Sequence, residues 1–119
     1  MKIAISSSGP SLNDMVDPRF GRAAGFVIAD PETAESSYLD NGQAQMMGHG
    51  AGIQAAETIA RSGAKYVLTG SVGPKAFQAL SAAGIKVVQN MEGLTVAQAI
   101  ERFRQGELQP ARQANRGGR

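Results

Sequence analysis

Three glycine-rich junctions carry the residues whose types and spacing could do chemistry: Asp17-Pro18-Arg19-Phe20-Gly21-Arg22, Gly48-His49-Gly50-Ala51-Gly52 and Gly70-Ser71-Val72-Gly73-Pro74-Lys75. Glycine lets backbone N–H groups come close to a ligand, and helices opening near Gly50 and Gly73 would present unpaired N–H donors at the positive end of a dipole. Such a site selects an anion. Arg19, Arg22 and Lys75 add mobile positive charge, and Met15, Met46 and Met47 add soft, polarizable contacts of the kind sulfide tolerates.

Each of these residues also has a plainer reading. Glycine-rich turns mostly turn the chain, and Gly70-Ser71-Val72-Gly73-Pro74 also suits a strand-to-helix connection with proline in the first helical turn. His49 is the only histidine, and one imidazole makes no metal site without partners, so direct ligation by His49 needs donors the motif does not supply. Met46 and Met47 fit core or loop filling, and Arg19 and Arg22 could form solvated ion pairs with Asp14 and Asp17.

Other chemistries find less support. The absence of cysteine removes disulfides, thiolate nucleophiles and thiolate-ligated iron-sulfur clusters. No nucleophile elbow surrounds Ser6, Ser7 or Ser8, and no phosphate-loop motif is present, so no catalytic residue is assigned. Asp14, Asp17 and Asp30 could hold a divalent cation for phosphoryl transfer, but the first strand, Lys2-Ile3-Ala4-Ile5-Ser6, lacks the carboxylate such an enzyme would want. Residues 1–106 are balanced in charge, whereas Arg112, Arg116 and Arg119 face only Glu107 in residues 107–119. With six aromatics and no basic stripe on an element, nucleic acid is not an expected partner. Apolar runs of four to six residues are far short of a membrane span of roughly 20, and no secretory pattern opens the chain. A cytoplasmic location is expected.

The elements that must position the junctions follow from hydrophobic period. Lys2–Ser6 reads as a strand delivering a long polar loop, residues 7–24, of a length that is often functional. Phe26–Ala29 and Glu35–Leu39 read as a hairpin joined through Asp30-Pro31-Glu32-Thr33. Ile53, Ala56, Ile59 and Ala60 mark an amphipathic helix ended by Gly63. A strand at Lys65–Thr69 follows, then a helix with Phe77 and Leu80 inward that Gly84 ends. A strand at Ile85–Val88 and a helix marked by Val96, Ile100 and Phe103 complete the order. This β-β-β-α-β-α-β-α succession predicts a single α/β domain over residues 1–106, a mixed five-stranded sheet flanked by three helices, with parallel crossovers and an antiparallel hairpin. Residues 107–119 read as a basic, disordered tail. In such a sheet the loops after Ser6 and Thr69 share one edge, where a ligand crevice is expected.

The sequence resembles the dinitrogenase iron-molybdenum cofactor biosynthesis family. The resemblance spans about residues 1–106 and rests on Met1–Ile5, Asp17–Arg22, His49–Ala56, Gly70–Phe77 and Ala83–Val87, taken jointly and in this order. It implies a ribonuclease H-like fold without nuclease carboxylates and noncovalent binding of metal-sulfur cluster precursors during assembly or storage. Relatives that use cysteine ligands are not matched here. The missing thiols instead fit the part of the family that carries a molybdenum-copper sulfide cluster, which brings its own sulfur; a related molybdenum- or iron-sulfur cluster is the neighbouring choice.

On that resemblance, Arg19, Arg22 and Lys75 would neutralise the cluster while amides at Gly50, Ala51, Ser71 and Gly73 donate to its sulfides, with Gly52 and His49 also among the cluster-binding residues. Met15, Phe20 and Ile53 would form apolar walls. The protein would be a carrier and not an enzyme, its basic tail suited to a recipient protein. The alternative from a different class is a metal-free regulatory or assembly module that binds a protein partner such as an ATPase.

Overall fold

The computed structural model describes residues 1–115. Five strands form one sheet: β1 (Ile3–Ser7), β2 (Gly25–Ala29), β3 (Ser36–Asp40), β4 (Tyr66–Leu68) and β5 (Lys86–Val88), in the order β3-β2-β1-β4-β5. Pairing of β1 with β2 and of β2 with β3 is antiparallel, whereas β1, β4 and β5 run parallel. The helices are α1 (Gly42–Gln45), α2 (Ala51–Ser62), α3 (Pro74–Ala82) and α4 (Val96–Arg104). This is the mixed α/β sheet expected, of the ribonuclease H-like type, with one short helix more than the sequence periodicity indicates.

Alternation along the strands sorts the core into two layers. Ala4, Phe26, Ile28, Val67 and Val87 point to the face covered by α2 and α3, where Ala55, Ala56, Ile59 and Leu80 meet them. Ile3, Ile5, Val27, Leu68 and Val88 point to the opposite face, covered by Val96 and Ala99 of α4 together with Val16 and Met91. Both faces are covered, which is why the central strand β1 is buried at all five positions and reads as a continuous rather than an alternating run.

The hairpin turn closes on Asp30. Its carboxylate Oδ1 accepts from the Glu32 N–H at 2.9 Å, its N–H donates to the Glu35 carbonyl, and its own carbonyl accepts from Ala34, which sits in the left-handed region. Every strand has at least one boundary shifted by a residue from expectation. β1 runs one residue further, to Ser7, because Ser6 and Ser7 are buried and hydrogen-bonded rather than solvated turn formers. β3 begins at Ser36. α1 escapes a periodic reading because four residues complete barely one turn, with only Ala44 buried.

The segment expected as a disordered tail from residue 107 is placed against the β5 edge as far as Asn115. Leu108 packs under α4, the Ala111 N–H donates to the Val87 carbonyl at 2.7 Å, and Gln89 Nε2 donates to the Gln113 carbonyl at 3.0 Å. The rest of that expectation, on residues 116–119, lies outside the described residues. Among the described residues no helix is long and apolar enough to cross a membrane.

Candidate functional site

The loops after β1 and β4 meet at the carboxyl edge of the parallel strands. Ser6 Oγ lies 2.8 Å from the Asp17 carbonyl and 2.7 Å from Thr69 Oγ1. A carbonyl only accepts, so Ser6 Oγ donates to the Asp17 carbonyl and accepts from the Thr69 hydroxyl. That buried pair fixes the start of the 17–22 loop beside the start of the 70–74 loop. Further out the two loops pair directly: Arg19 forms a parallel bridge with Ser71, the Phe20 N–H donates to the Ser71 carbonyl at 3.1 Å, and Ser71 Oγ donates to the Pro18 carbonyl at 2.9 Å.

Between these loops and the starts of α2 and α3 lies a cleft of about 380 Å³. The 17–22 loop contributes Phe20, Gly21 and Arg22; the start of α2 contributes Gly50, Ala51, Gly52 and Ile53; the 70–76 segment contributes Ser71, Gly73, Pro74, Lys75 and Ala76. Thus Phe20, Arg22, Gly50, Ala51, Gly52, Ser71, Gly73 and Lys75, separated by up to 55 positions in sequence, line one cavity. The only charged residues lining it are Arg22 and Lys75; no carboxylate faces it among the described residues.

The two helices that open on the cleft lack side-chain caps. α2 starts after Gly50, whose left-handed φ of 79° suits glycine, and α3 starts after Gly73 with Pro74 at its head; neither receives a side-chain cap hydrogen bond. α4, on the far face, carries a complete capping box between Thr95 and Gln98. Uncapped N-termini leave amide donors and positive dipole ends directed at the cleft, each worth about 0.3–1 kcal/mol to an anion at an exposed end. Neither end suffices alone to hold a ligand, so the pairing of two ends with two cations is the relevant feature.

Close packing explains several motif glycines. A Cβ on Gly52 would stand 2.9 Å from Ala76 Cβ, and one on Gly70 would stand 2.5 Å from the Pro18 carbonyl oxygen. Gly52 therefore lets the first turn of α2 abut α3, and Gly70 lets the two loops touch.

Other candidate residues sit differently. Arg22 is not a mobile cation: its guanidinium donates to the carbonyls of Gln45, Met47 and Gly48, while Gln45 Nε2 donates back to the Arg22 carbonyl. Neither Arg19 nor Arg22 pairs with Asp14 or Asp17 among the described residues; Asp14 accepts from the Ser11 N–H and Asp17 from the Arg19 N–H. The Arg19 side chain is exposed and does not line the cleft, although its backbone bridges Ser71. His49 is exposed and outside the lining, and Met46 is 87% exposed. Met15 bridges Thr95 at the start of α4, on the other face of the sheet, and forms no wall of the cleft. Asp30 lies in the hairpin turn, away from Asp14 and Asp17, and among the described residues no three His, Cys, Asp or Glu side chains gather as a metal site. Gly21, Pro74 and Ala76 line the cleft although the sequence did not single them out as contacts; their neighbours Phe20 and Lys75 were the available signal.

The chain, an α/β domain with glycine-rich loops converging on an amide-lined cleft, belongs to the dinitrogenase iron-molybdenum cofactor family, whose model matches residues 1–106. Among solved structures, the apo form of the orange protein from Desulfovibrio gigas is 57% identical, covers 97% of this chain and 96% of its own, and superposes with a TM-score of 0.95. A putative NifB protein from Thermotoga is 36% identical over 98% of both chains, with a TM-score of 0.83. An uncharacterized protein of Methanocaldococcus jannaschii is 30% identical over 112 residues, 92% of this chain and 90% of its own.

Proposed function

We propose that this protein binds and carries a preassembled, anionic metal-sulfide cluster, of the molybdenum-copper or a related iron-molybdenum type, held noncovalently in the cleft between the 17–22 loop and the starts of α2 and α3. The observation that carries the reading is the composition of that cleft: two uncapped helix N-termini and the cations Arg22 and Lys75, with no opposing carboxylate. This donor set suits an anion. It does not suit a bare metal ion, which would need thiolate, imidazole or carboxylate ligands. A cluster that brings its own sulfide ligands needs amide donors, charge compensation and an apolar wall, and Phe20, Ile53 and Ala76 provide the last.

The similarity to the orange protein and membership of the dinitrogenase iron-molybdenum cofactor family support the choice of cargo. The role is carriage or assembly rather than catalysis. Lys75, beside the α3 terminus, neutralises the cluster from one side, and Arg22 bounds it from another.

The test is incubation of the purified protein with tetrathiomolybdate and a copper salt under anaerobic conditions, followed by desalting, a visible spectrum and metal analysis. Retained colour with stoichiometric molybdenum and copper is expected. A colourless, metal-free product would shift the reading to a metal-free assembly module that binds a protein partner such as an ATPase.

A further inference from the structure

We infer that Asn115 is a positioning residue for this cleft, holding the 70–73 loop in the shape that presents Ser71 and Gly73; the inference rests on the cluster-binding reading above. The 70–73 loop leaves β4 and starts α3, so apart from the Gly73 carbonyl, which accepts from the Phe77 N–H, its backbone groups must find partners outside the five-stranded ladder and the helix. On the cleft side it is secured by Phe20 and Pro18, as described. On its other side the partner is the Asn115 side chain. Asn115 Oδ1 accepts from the Val72 N–H at 3.1 Å, and Asn115 Nδ2 donates to the Gly70 carbonyl at 3.1 Å and to Asn90 Oδ1 at 3.3 Å.

One carboxamide thus serves a donor and an acceptor two residues apart, as a neighbouring strand would. The amide side chain offers the donor and the acceptor on separate atoms of one short planar group; aspartate keeps the acceptor and loses the donor. Asn115 is itself held, because its N–H donates to Gln89 Oε1 at 3.0 Å while Gln89 Nε2 donates to the Gln113 carbonyl. The strap that carries it is fastened further back by the Ala111 to Val87 hydrogen bond and by Leu108, half-buried against the core layer that α4 covers. Asn90 completes the arrangement from the β5 side: it sits at φ 67°, and its N–H donates to the same Gly70 carbonyl at 2.9 Å. The Val72 side chain is buried, so fixing its N–H fixes the loop between a core anchor and two cleft residues. The family match ends at residue 106, so this clamp comes from a segment beyond it.

The experiment compares the full-length protein with Asn115→Ala and Asn115→Asp. In the apo proteins, amide hydrogen exchange at Val72 is read by NMR alongside the urea unfolding midpoint. After loading with tetrathiomolybdate and copper, the rate of colour loss and the visible circular dichroism, which reports the chiral setting of the chromophore, are recorded. Both variants are expected to unfold near the wild-type midpoint, to lose colour about three- to tenfold faster and to show altered visible dichroism; Asn115→Ala, which also loses the acceptor for the Val72 N–H, is expected to exchange Val72 about three- to tenfold faster, and Asn115→Asp, which keeps that acceptor, to change Val72 exchange less. Faster Val72 exchange with unchanged colour loss and dichroism overturns the inference, since Asn115 would then serve the loop without serving the ligand. Unchanged Val72 exchange in Asn115→Ala overturns it as well. A wild-type protein that stays colourless overturns the cluster reading itself, and Val72 exchange, measured without ligand, still decides whether Asn115 holds the loop.

Discussion

Gly21 and Gly52 touch through their backbones: a Cβ built on Gly21 would lie 2.8 Å from the Gly52 amide nitrogen and 2.9 Å from its Cα. The obstacle is main chain in the first turn of α2, which cannot swing aside as a side chain would. Gly21→Ala is therefore expected to destabilise the fold by about 1–3 kcal/mol, the usual range for overpacking, measured as a fall in the urea midpoint. Gly73→Ala is the contrasting variant. Gly73 sits at φ −75°, and a Cβ there meets nothing within 4 Å. Its stability is expected to fall by less than about 1 kcal/mol, while a methyl at the cleft lowers retention of the tetrathiomolybdate-copper chromophore several-fold.

Lys75 and Arg22 carry the charge that faces the cleft, and they predict different responses. Lys75→Gln removes an exposed charge near the ligand, worth about 1 kcal/mol at high effective dielectric. Chromophore retention should weaken about fivefold, and its dependence on salt should flatten. Arg19→Gln, outside the cleft lining, should change retention less than Lys75→Gln does.

Arg22→Lys keeps the charge and loses the planar fork that spans the carbonyls of Gln45, Met47 and Gly48. Faster amide exchange across residues 46–50 is expected, with chromophore retention reduced even though the net charge is unchanged. Retention and exchange both equal to wild type would show that the fork has no part in shaping the cleft.

The hairpin turn and the edge strand set the pH limits. The Asp30 carboxyl is held below its ordinary range chiefly by the Glu32 N–H, and further by the Thr33 N–H and the N-terminal ammonium, against some desolvation. The native state therefore binds this proton less readily than the unfolded chain does. Its contribution is present above the ordinary aspartate range and is lost as pH falls through the depressed native value. The Tyr38 hydroxyl is pushed above its ordinary value by burial and by Asp40 and Asp14, so stability should fall as pH rises above about 10. Asp30→Asn and Tyr38→Phe should each flatten the matching arm of a plot of unfolding midpoint against pH.

Much of the fold was legible in the sequence, for a local reason. Unbroken apolar runs marked strands buried on both faces, helical spacing of Ile53, Ala56 and Ile59 marked α2, and Gly63 and Gly84 marked helix ends; each signal lies within a window of about a dozen residues. The glycine-rich junctions were legible as points of close backbone approach, as Gly52 against Ala76 and Gly70 against Pro18 illustrate. What could not be read was direction. Arg19 and Arg22 are equivalent as letters three apart, yet one side chain stays exposed and the other clamps the 45–48 loop. Met15 lies in the same long loop as Phe20 but crosses to the α4 face through its bridge to Thr95.

The sequence by itself determined the order of elements, the absence of thiols and the glycine positions, since propensity, composition and hydrophobic period are properties of neighbours in the chain. Only the tertiary structure decided which cations face the cleft and that the C-terminal segment returns to hold its loop. Those outcomes rest on contacts between residues as far apart as Arg19 and Ser71 or Val72 and Asn115, whose geometry is set by the packing of every element between them.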